Sequence, residues 1–150
     1  MISIIITAYR ESKTIGKAIE AIIPQVSKKD EIIVICPDSD KDKISKPIVD
    51  RYKDKNVRWF KDPGEGKSFA LNLVFEDLFG KGGIIVSTDG DVVVEKNALN
   101  EIVKKFKDPA VGCLTGRVVS ANPINKMLGY WSHLLADAGA HMIRKEADEK

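Results

Sequence analysis

Two carboxylates one residue apart, Asp89 and Asp91, follow the apolar run Ile84 to Thr88, with Gly90 between them. Side chains alternate along a strand, so both can project from one side of an extended backbone, and the glycine lets the chain turn toward a ligand. Carboxylates this close repel one another unless something positive lies between them. Mg2+ or Mn2+, shared with phosphate oxygens, meets that need. Asp-Gly is also a common loop dipeptide, so the same residues read equally as a solvated turn. The choice depends on what else the fold brings to the same place.

The elements that position the pair alternate regularly. Ile2 to Thr7 is a continuous apolar run, the mark of a strand buried on both faces. Ile15, Ala18, Ile19, Ile22 and Ile23 then recur at helical spacing, with Ser12 or Thr14 as N-cap and Pro24 at the end. Strand patterns return at Glu31 to Cys36, Val57 to Phe60 and Ile84 to Thr88. Helical patterns follow them at Ile44 to Tyr52, Ser68 to Phe79 and Ala98 to Lys107. Val111 to Ser120 reads as a fifth strand, and Asn122 to Lys150 as mostly helix. This order predicts an α/β fold: a mostly parallel, Rossmann-like sheet with right-handed crossovers and helices on both faces.

In such sheets ligands bind beyond the carboxyl ends of the strands. That edge gathers Tyr9, Arg10, Glu11, Asp38, Asp40, Lys67, Asp89 and Asp91, an acidic pocket with a few bases and one aromatic ring. Carboxylates paired with a cation suit a nucleoside diphosphate. Taken singly, each residue has a plainer role: Asp38 as a helix cap, Lys67 as surface charge, Glu11 in a local helix-start box.

Composition narrows the classes. The 150 residues, 43% of them hydrophobic, suffice for one domain with a real core. A net charge of +2, with lysines spread along the chain, lacks the basic excess of a nucleic-acid binder. Cys36 and Cys113 each lie in apolar runs and read as small buried hydrophobes in a reducing compartment. No apolar stretch approaches the roughly 20 residues of a membrane span, and a signal-peptide pattern is absent. The expectation is a cytoplasmic protein. His133 and His141 fall at helical spacing beside Trp131 and Leu134 and read as amphipathic-helix residues.

Pro63-Gly-Glu-Gly-Lys-Ser68 has the look of a phosphate-binding P-loop, but Lys61 stands where that pattern requires its first glycine. The backbone cradle depends on loop length and on positions with positive φ, so a P-loop nucleotidase ranks third among the readings. No Gly-x-Gly-x-x-Gly follows the first strand.

Four segments in series carry a resemblance: Ile4-Ile-Ile-Thr-Ala-Tyr-Arg-Glu11, Glu31-Ile-Ile-Val34 with an aspartate shortly after, Gly66-Lys-Ser-Phe-Ala-Leu-Asn72 and Ser87-Thr-Asp-Gly-Asp91. Their order and spacing resemble family 2 glycosyltransferases of GT-A fold, and Val111-Gly-Cys-Leu-Thr-Gly-Arg117 is similar to the strand that follows the metal motif there. The resemblance covers essentially the whole chain. It implies transfer of a sugar from a nucleoside-diphosphate donor, a UDP- or GDP-sugar, usually with inversion, with Mn2+ or Mg2+ as cofactor. It further implies that Thr7, Tyr9 and Glu11 border the nucleoside and that Asp38 stands near the base. Lys67 would be a cation beside the donor, Asp89 would contact the ribose or a metal-bound water, and Asp91 would ligate the metal.

The chain departs from the pattern in two places. Many relatives carry two aspartates directly after the second strand, where Cys36 and Pro37 stand here, which leaves the nucleobase open. An inverting transferase also needs a general base, which the family supplies from an acceptor-side segment well after the fifth strand. Asp137, Glu146 and Asp148 are carboxylates in a charge-mixed helical setting, and none is singled out. The catalytic base and the acceptor stay unassigned. Residues 1–150 read as a single nucleotide-sugar-binding domain without that segment; the alternative is a non-catalytic nucleotide-binding or assembly module. Met127, Leu128, Trp131, Leu134 and Leu135 form an apolar stripe after Asn122. The stripe suggests a homo-oligomer contact or peripheral contact at the cytoplasmic face of a membrane, or else burial on the chain's own core.

Overall fold

Strands β1 (Ile2–Thr7), β2 (Glu31–Pro37), β3 (Val57–Asp62) and β4 (Ile84–Asp89) pair in the order β3-β2-β1-β4, all parallel, in a computed structural model that describes residues 1–37 and 44–136. Asp38 and Asp40 lie outside the described residues, as do Asp137, His141, Glu146 and Asp148. The chain divides into two compact units, Met1–Pro109 and Ala110–Lys150.

In the first unit the isoleucine-rich strands sort their side chains by alternation. Ile4, Ile6, Ile32 and Val34 face α1 (Ile15–Ile22), α2 (Ser45–Val49) and α4 (Ala98–Lys105) in one apolar cluster. Ile5, Ile33 and Ile35 face Ala70, Val74 and Leu78 of α3 (Lys67–Leu78) in the other. Burial on both faces is why these strands read as unbroken apolar runs. Gln25, in the short turn after α1, ties that helix to the start of α4: its side-chain amide donates to Ala21 O and Glu95 O, and its oxygen accepts Leu99 N–H at 3.2 Å.

Partner residues in parallel strands project to the same side, so register decides what meets at the carboxyl edge. Thr7 pairs with Asp89 and with Ile35, and Pro37 pairs with Asp62. Continuing the alternation from Ile5, Ile35 and Phe60, the residues Thr7, Pro37, Asp62 and Asp89 all stand on the α3 face. At the opposite edge of that face Arg58 donates to Glu31 Oε2 at 3.0 Å and to Asp77 Oδ2 of α3 at 2.5 Å. The Arg58 hydrogen bond holds the Asp77 carboxyl below the usual carboxylate range against the opposing effect of burial.

The second unit departs from expectation. Residues 111–120 form no strand, and Leu114, Val118 and Val119 are exposed. Strand-forming side chains make a strand only where a neighbour completes the ladder. Cys113 is exposed rather than buried for the same reason, whereas Cys36 is buried as expected. The helix expected from Asn122 begins later, as α5 (Met127–Leu134). Within this unit the Ser132 hydroxyl bonds Ser120 Oγ at 2.6 Å, and His133 Nε2 lies 2.9 Å from Asn122 O. The stripe on α5 is solvent-facing, with Met127, Leu128 and Trp131 more than half exposed. Among the described residues no helix is long and apolar enough to cross a membrane.

Candidate functional site

The strand ends enclose an open crevice of about 720 Å3. Thr7, Tyr9, Glu11, Lys67, Asp89 and Asp91, all expected at this edge, line it. Ala8, Ile35, Pro37, Asp62, Gly64, Gly66, Ala70 and Gly90 line it as well. Asp62 begins the loop to Lys67 that the strand order places at this edge; the sequence does not single out its carboxylate, and the register Pro37 to Asp62 is what sets it beside β2.

Asp89, the last residue of β4, is the most constrained carboxylate of the crevice. Its Oδ1 accepts the Thr7 hydroxyl at 2.6 Å and also the ammonium of Lys67. The Lys67 hydrogen bond first, and that of Thr7 second, hold the Asp89 carboxyl below its ordinary range against the cost of partial burial. Lys67 arrives on the first residue of α3, a 12-residue helix whose N-cap, Gly66, has φ of 106° and whose first turn carries no acidic residue. The positive end of the helix and its first lysine therefore lie together in the crevice wall.

Gly90 lies in the turn expected of it, as the first of that turn's two central residues. It is absent from the glycines with positive φ. Its role is close approach: it is buried, its N–H donates to Thr7 O at 2.8 Å, and an added Cβ would stand 3.1 Å from Ala8 Cβ and 3.2 Å from Ile15 Cδ1. The turn is closed by Val92 N–H, which donates to Asp89 O at 3.1 Å. Asp91 thereby sits on an exposed turn beyond the strand.

Glu11 has a structural task as well as its place on the rim. Its Oε2 accepts the Thr14 hydroxyl at 2.6 Å, and its N–H donates to the buried Ser45 Oγ at 3.2 Å. Thr14 occupies the N-cap of α1 without a side-chain cap bond, its hydroxyl being given to Glu11. The helix-start role weighed for Glu11 is thus present. Tyr9 is half exposed, and the Arg10 guanidinium lies 5.2 Å from its ring centre.

Four carboxylates, Glu11, Asp62, Asp89 and Asp91, against one lysine give the lining a net negative charge. Among the described residues no group of three or more His, Cys, Asp or Glu side chains could hold a metal. The carboxylates of Asp89 and Asp91 are hard oxygen donors of the type that Mg2+ or Mn2+ takes, one or two from the protein with phosphate and water at the remaining positions.

Comparison with known proteins accords with this geometry. An uncharacterized glycosyltransferase of Rickettsia felis is 34% identical over 107 residues, 71% of this chain and 17% of that protein. A poly-beta-1,6-N-acetyl-D-glucosamine synthase of Staphylococcus aureus is 29% identical over 118 residues, 77% of this chain and 28% of that one. The chain thus spans less than a third of the length of these relatives. In fold it is similar to residues 1–349 of S. aureus TarS, solved in complex with UDP-GlcNAc, with a TM-score of 0.58 and 19% identity over 83% of this chain and 38% of that one. A second structure of TarS residues 1–349 gives a TM-score of 0.59 at 18% identity, over 83% and 40% of the two chains. The expected GT-A type sheet is therefore present. Residues 3–148 match the family described as glycosyl transferase family 2, a match that leaves the P-loop reading without support. With a parallel sheet that gathers Thr7, Lys67, Asp89 and Asp91 at one edge and a family match over nearly its whole length, the chain belongs to glycosyl transferase family 2.

Proposed function

We propose that this chain binds a nucleoside-diphosphate sugar in the crevice at the strand ends and serves its transfer, with inversion, to an acceptor hydroxyl. The observation that carries the reading is the Thr7–Asp89–Lys67 cluster beside Asp91 at one end of a crevice whose other end is apolar. TarS, similar in fold, was solved with UDP-GlcNAc, which supports a nucleotide sugar as ligand. We read residues 1–150 as the donor-binding part of a transferase.

The chemistry follows from charge. In an inverting transfer the acceptor oxygen attacks the anomeric carbon from the face opposite the diphosphate, and the breaking C–O bond leaves its electron pair on a phosphate oxygen. Lys67 and the N-terminus of α3 supply positive potential where that charge grows. The Thr7–Asp89 bond keeps Lys67 aimed at the crevice rather than loose in solvent. A dianionic diphosphate meets repulsion from Glu11, Asp89 and Asp91, so binding needs a cation that enters with it. Asp91, exposed and beyond the strand, would hold Mg2+ or Mn2+ with Asp89 behind it. The bound ion would neutralise the leaving diphosphate as a Lewis acid. No residue is assigned as the general base.

Calorimetric titration with UDP, GDP and ADP, with and without Mn2+, tests the reading. Metal-dependent binding of UDP or GDP is the expected result. Failure to bind any of the three, with or without metal, would instead favour a non-catalytic assembly module.

A further inference from the structure

We infer that the Lys67 ammonium is a resident counter-ion of Asp89: it holds the place of a divalent cation until a diphosphate arrives to take the lysine over, so that metal and nucleotide enter together. This rests on the donor-binding reading given above. Lys67 and the Thr7 hydroxyl meet on one oxygen, Asp89 Oδ1. The hydroxyl is the neutral partner, fixed on β1 beside Asp89 in the ladder. The ammonium is the charged partner, and it comes from another element, as the first residue of α3.

The two ends of that lysine are held differently. Its backbone is fixed: Gly66, with φ of 106°, turns the chain into α3, and Gly66 O accepts Ala70 N–H at 3.1 Å as the helix begins. Its side chain is 56% exposed on a flexible four-carbon stem, so the ammonium can turn about a fixed root. The Asp89 side chain is 48% exposed, and an ion pair this open shifts an equilibrium by no more than about fivefold. Such a contact orients the lysine without locking it. Asp91, on the turn that follows, lines the same crevice. A divalent cation held by Asp91 with Asp89 behind it shares Asp89 with the Lys67 ammonium, and the repulsion is twice that between two single charges. Displaced without a phosphate, Lys67 is left to water. With one, its N–H donors turn to the phosphate oxygens beside the first-turn N–H groups of α3. The same lysine therefore opposes metal alone and favours metal with diphosphate, which is positive coupling between the two ligands.

Opposite effects in one variant distinguish this role from that of a simple phosphate-binding lysine. Mn2+ binding would be followed by water-proton relaxation, with and without UDP or GDP, and nucleotide binding by calorimetry in the presence of Mn2+. Wild type, Lys67→Met and Lys67→Arg are compared, with thermal melts showing that each is folded. Lys61→Met runs beside them: it removes an exposed lysine of β3 whose side chain, by alternation, projects to the opposite side of the sheet from Asp62. The expected result is that Mn2+ alone binds Lys67→Met about threefold to fivefold more tightly than wild type, the scale of an exposed ion pair. The factor by which UDP or GDP tightens Mn2+ binding falls by at least as much. Lys67→Arg, which keeps the charge, and Lys61→Met stay within about twofold of wild type in Mn2+ affinity. Mn2+ affinity unchanged or weaker in Lys67→Met, an equal rise in Lys61→Met, or an undiminished coupling factor overturns the inference while metal-dependent donor binding by the wild type stands. Wild-type protein that binds neither nucleotide in the presence of Mn2+ overturns the donor-site reading and this inference with it.

Discussion

The Thr7 hydroxyl donates to Asp89 Oδ1 over 2.6 Å, joining residues 82 positions apart in sequence at neighbouring strand ends. Parallel pairing of β1 and β4 puts the two side by side, and Lys67 of α3 closes on the same oxygen. Three separate segments of the chain thus converge on one atom.

The first prediction concerns that atom's proton. Both partners favour the ionised form, so Lys67→Met should raise the Asp89 pKa toward the ordinary carboxylate value, and Thr7→Val should do the same by a smaller amount. The sign for stability follows. Asp89 is depressed in the folded state, so its contribution is fully present above the unfolded value of about 3.9 and is lost as pH falls through the lower folded value. The side chain is 48% exposed, so screening keeps the effect small. Carboxyl NMR titration of the wild type and both variants would reveal the order; an Asp89 pKa indifferent to Lys67→Met would refute it.

Asp91→Ala is expected to abolish metal-dependent donor binding while changing stability by no more than about 0.5 kcal/mol, as for other exposed positions. The residue lies beyond β4 on an exposed turn, and its loss relieves repulsion with Asp89. Calorimetry with UDP or GDP and Mn2+, paired with urea unfolding, measures both quantities. Wild-type binding by the variant would remove Asp91 from the metal site.

Gly90→Ala should destabilise the fold by about 1–3 kcal/mol, the usual cost of an added methyl in a packed place. The new Cβ would meet Ala8, Ile15 and the Thr7 carbonyl at 3.1 to 3.3 Å, and at least one of them must yield. Since Gly90 separates Asp89 from Asp91, donor affinity should fall along with the urea midpoint. A stable variant with normal binding would show that the packing beneath the site is loose.

Gly129→Ala tests the second unit in the same way. A Cβ there would lie 1.9 Å from the Pro123 carbonyl oxygen, a rigid backbone atom. The loop before α5 must therefore move, and the bond between Ser120 and Ser132 should be strained or lost. Proteolysis is expected to accelerate between residues 120 and 135 with little change in residues 1–109. Equal protection of wild type and variant would contradict the close approach.

The alternation of apolar runs and helical stripes along residues 1–107 was enough to determine the order of strands and helices, because burial on both faces of a parallel sheet demands uninterrupted Ile and Val and its helices demand an apolar stripe. That order also determined which loops share an edge, so Tyr9, Glu11, Lys67, Asp89 and Asp91 were legible in the sequence alone, and Thr7 through the family resemblance. What depends on the precise pairing of distant residues was not. Asp62 joins the site through its register with Pro37. The Thr7–Asp89–Lys67 junction arises from register between β1 and β4 together with the entry point of α3, and the closeness of Ala8 and Ile15 to Gly90 leaves little room for a side chain within its turn. The segment 111–120 shows the converse: its residues have strand propensity, yet it forms no strand. A strand is held by hydrogen bonds to a neighbour, and only tertiary structure decides whether that neighbour is there.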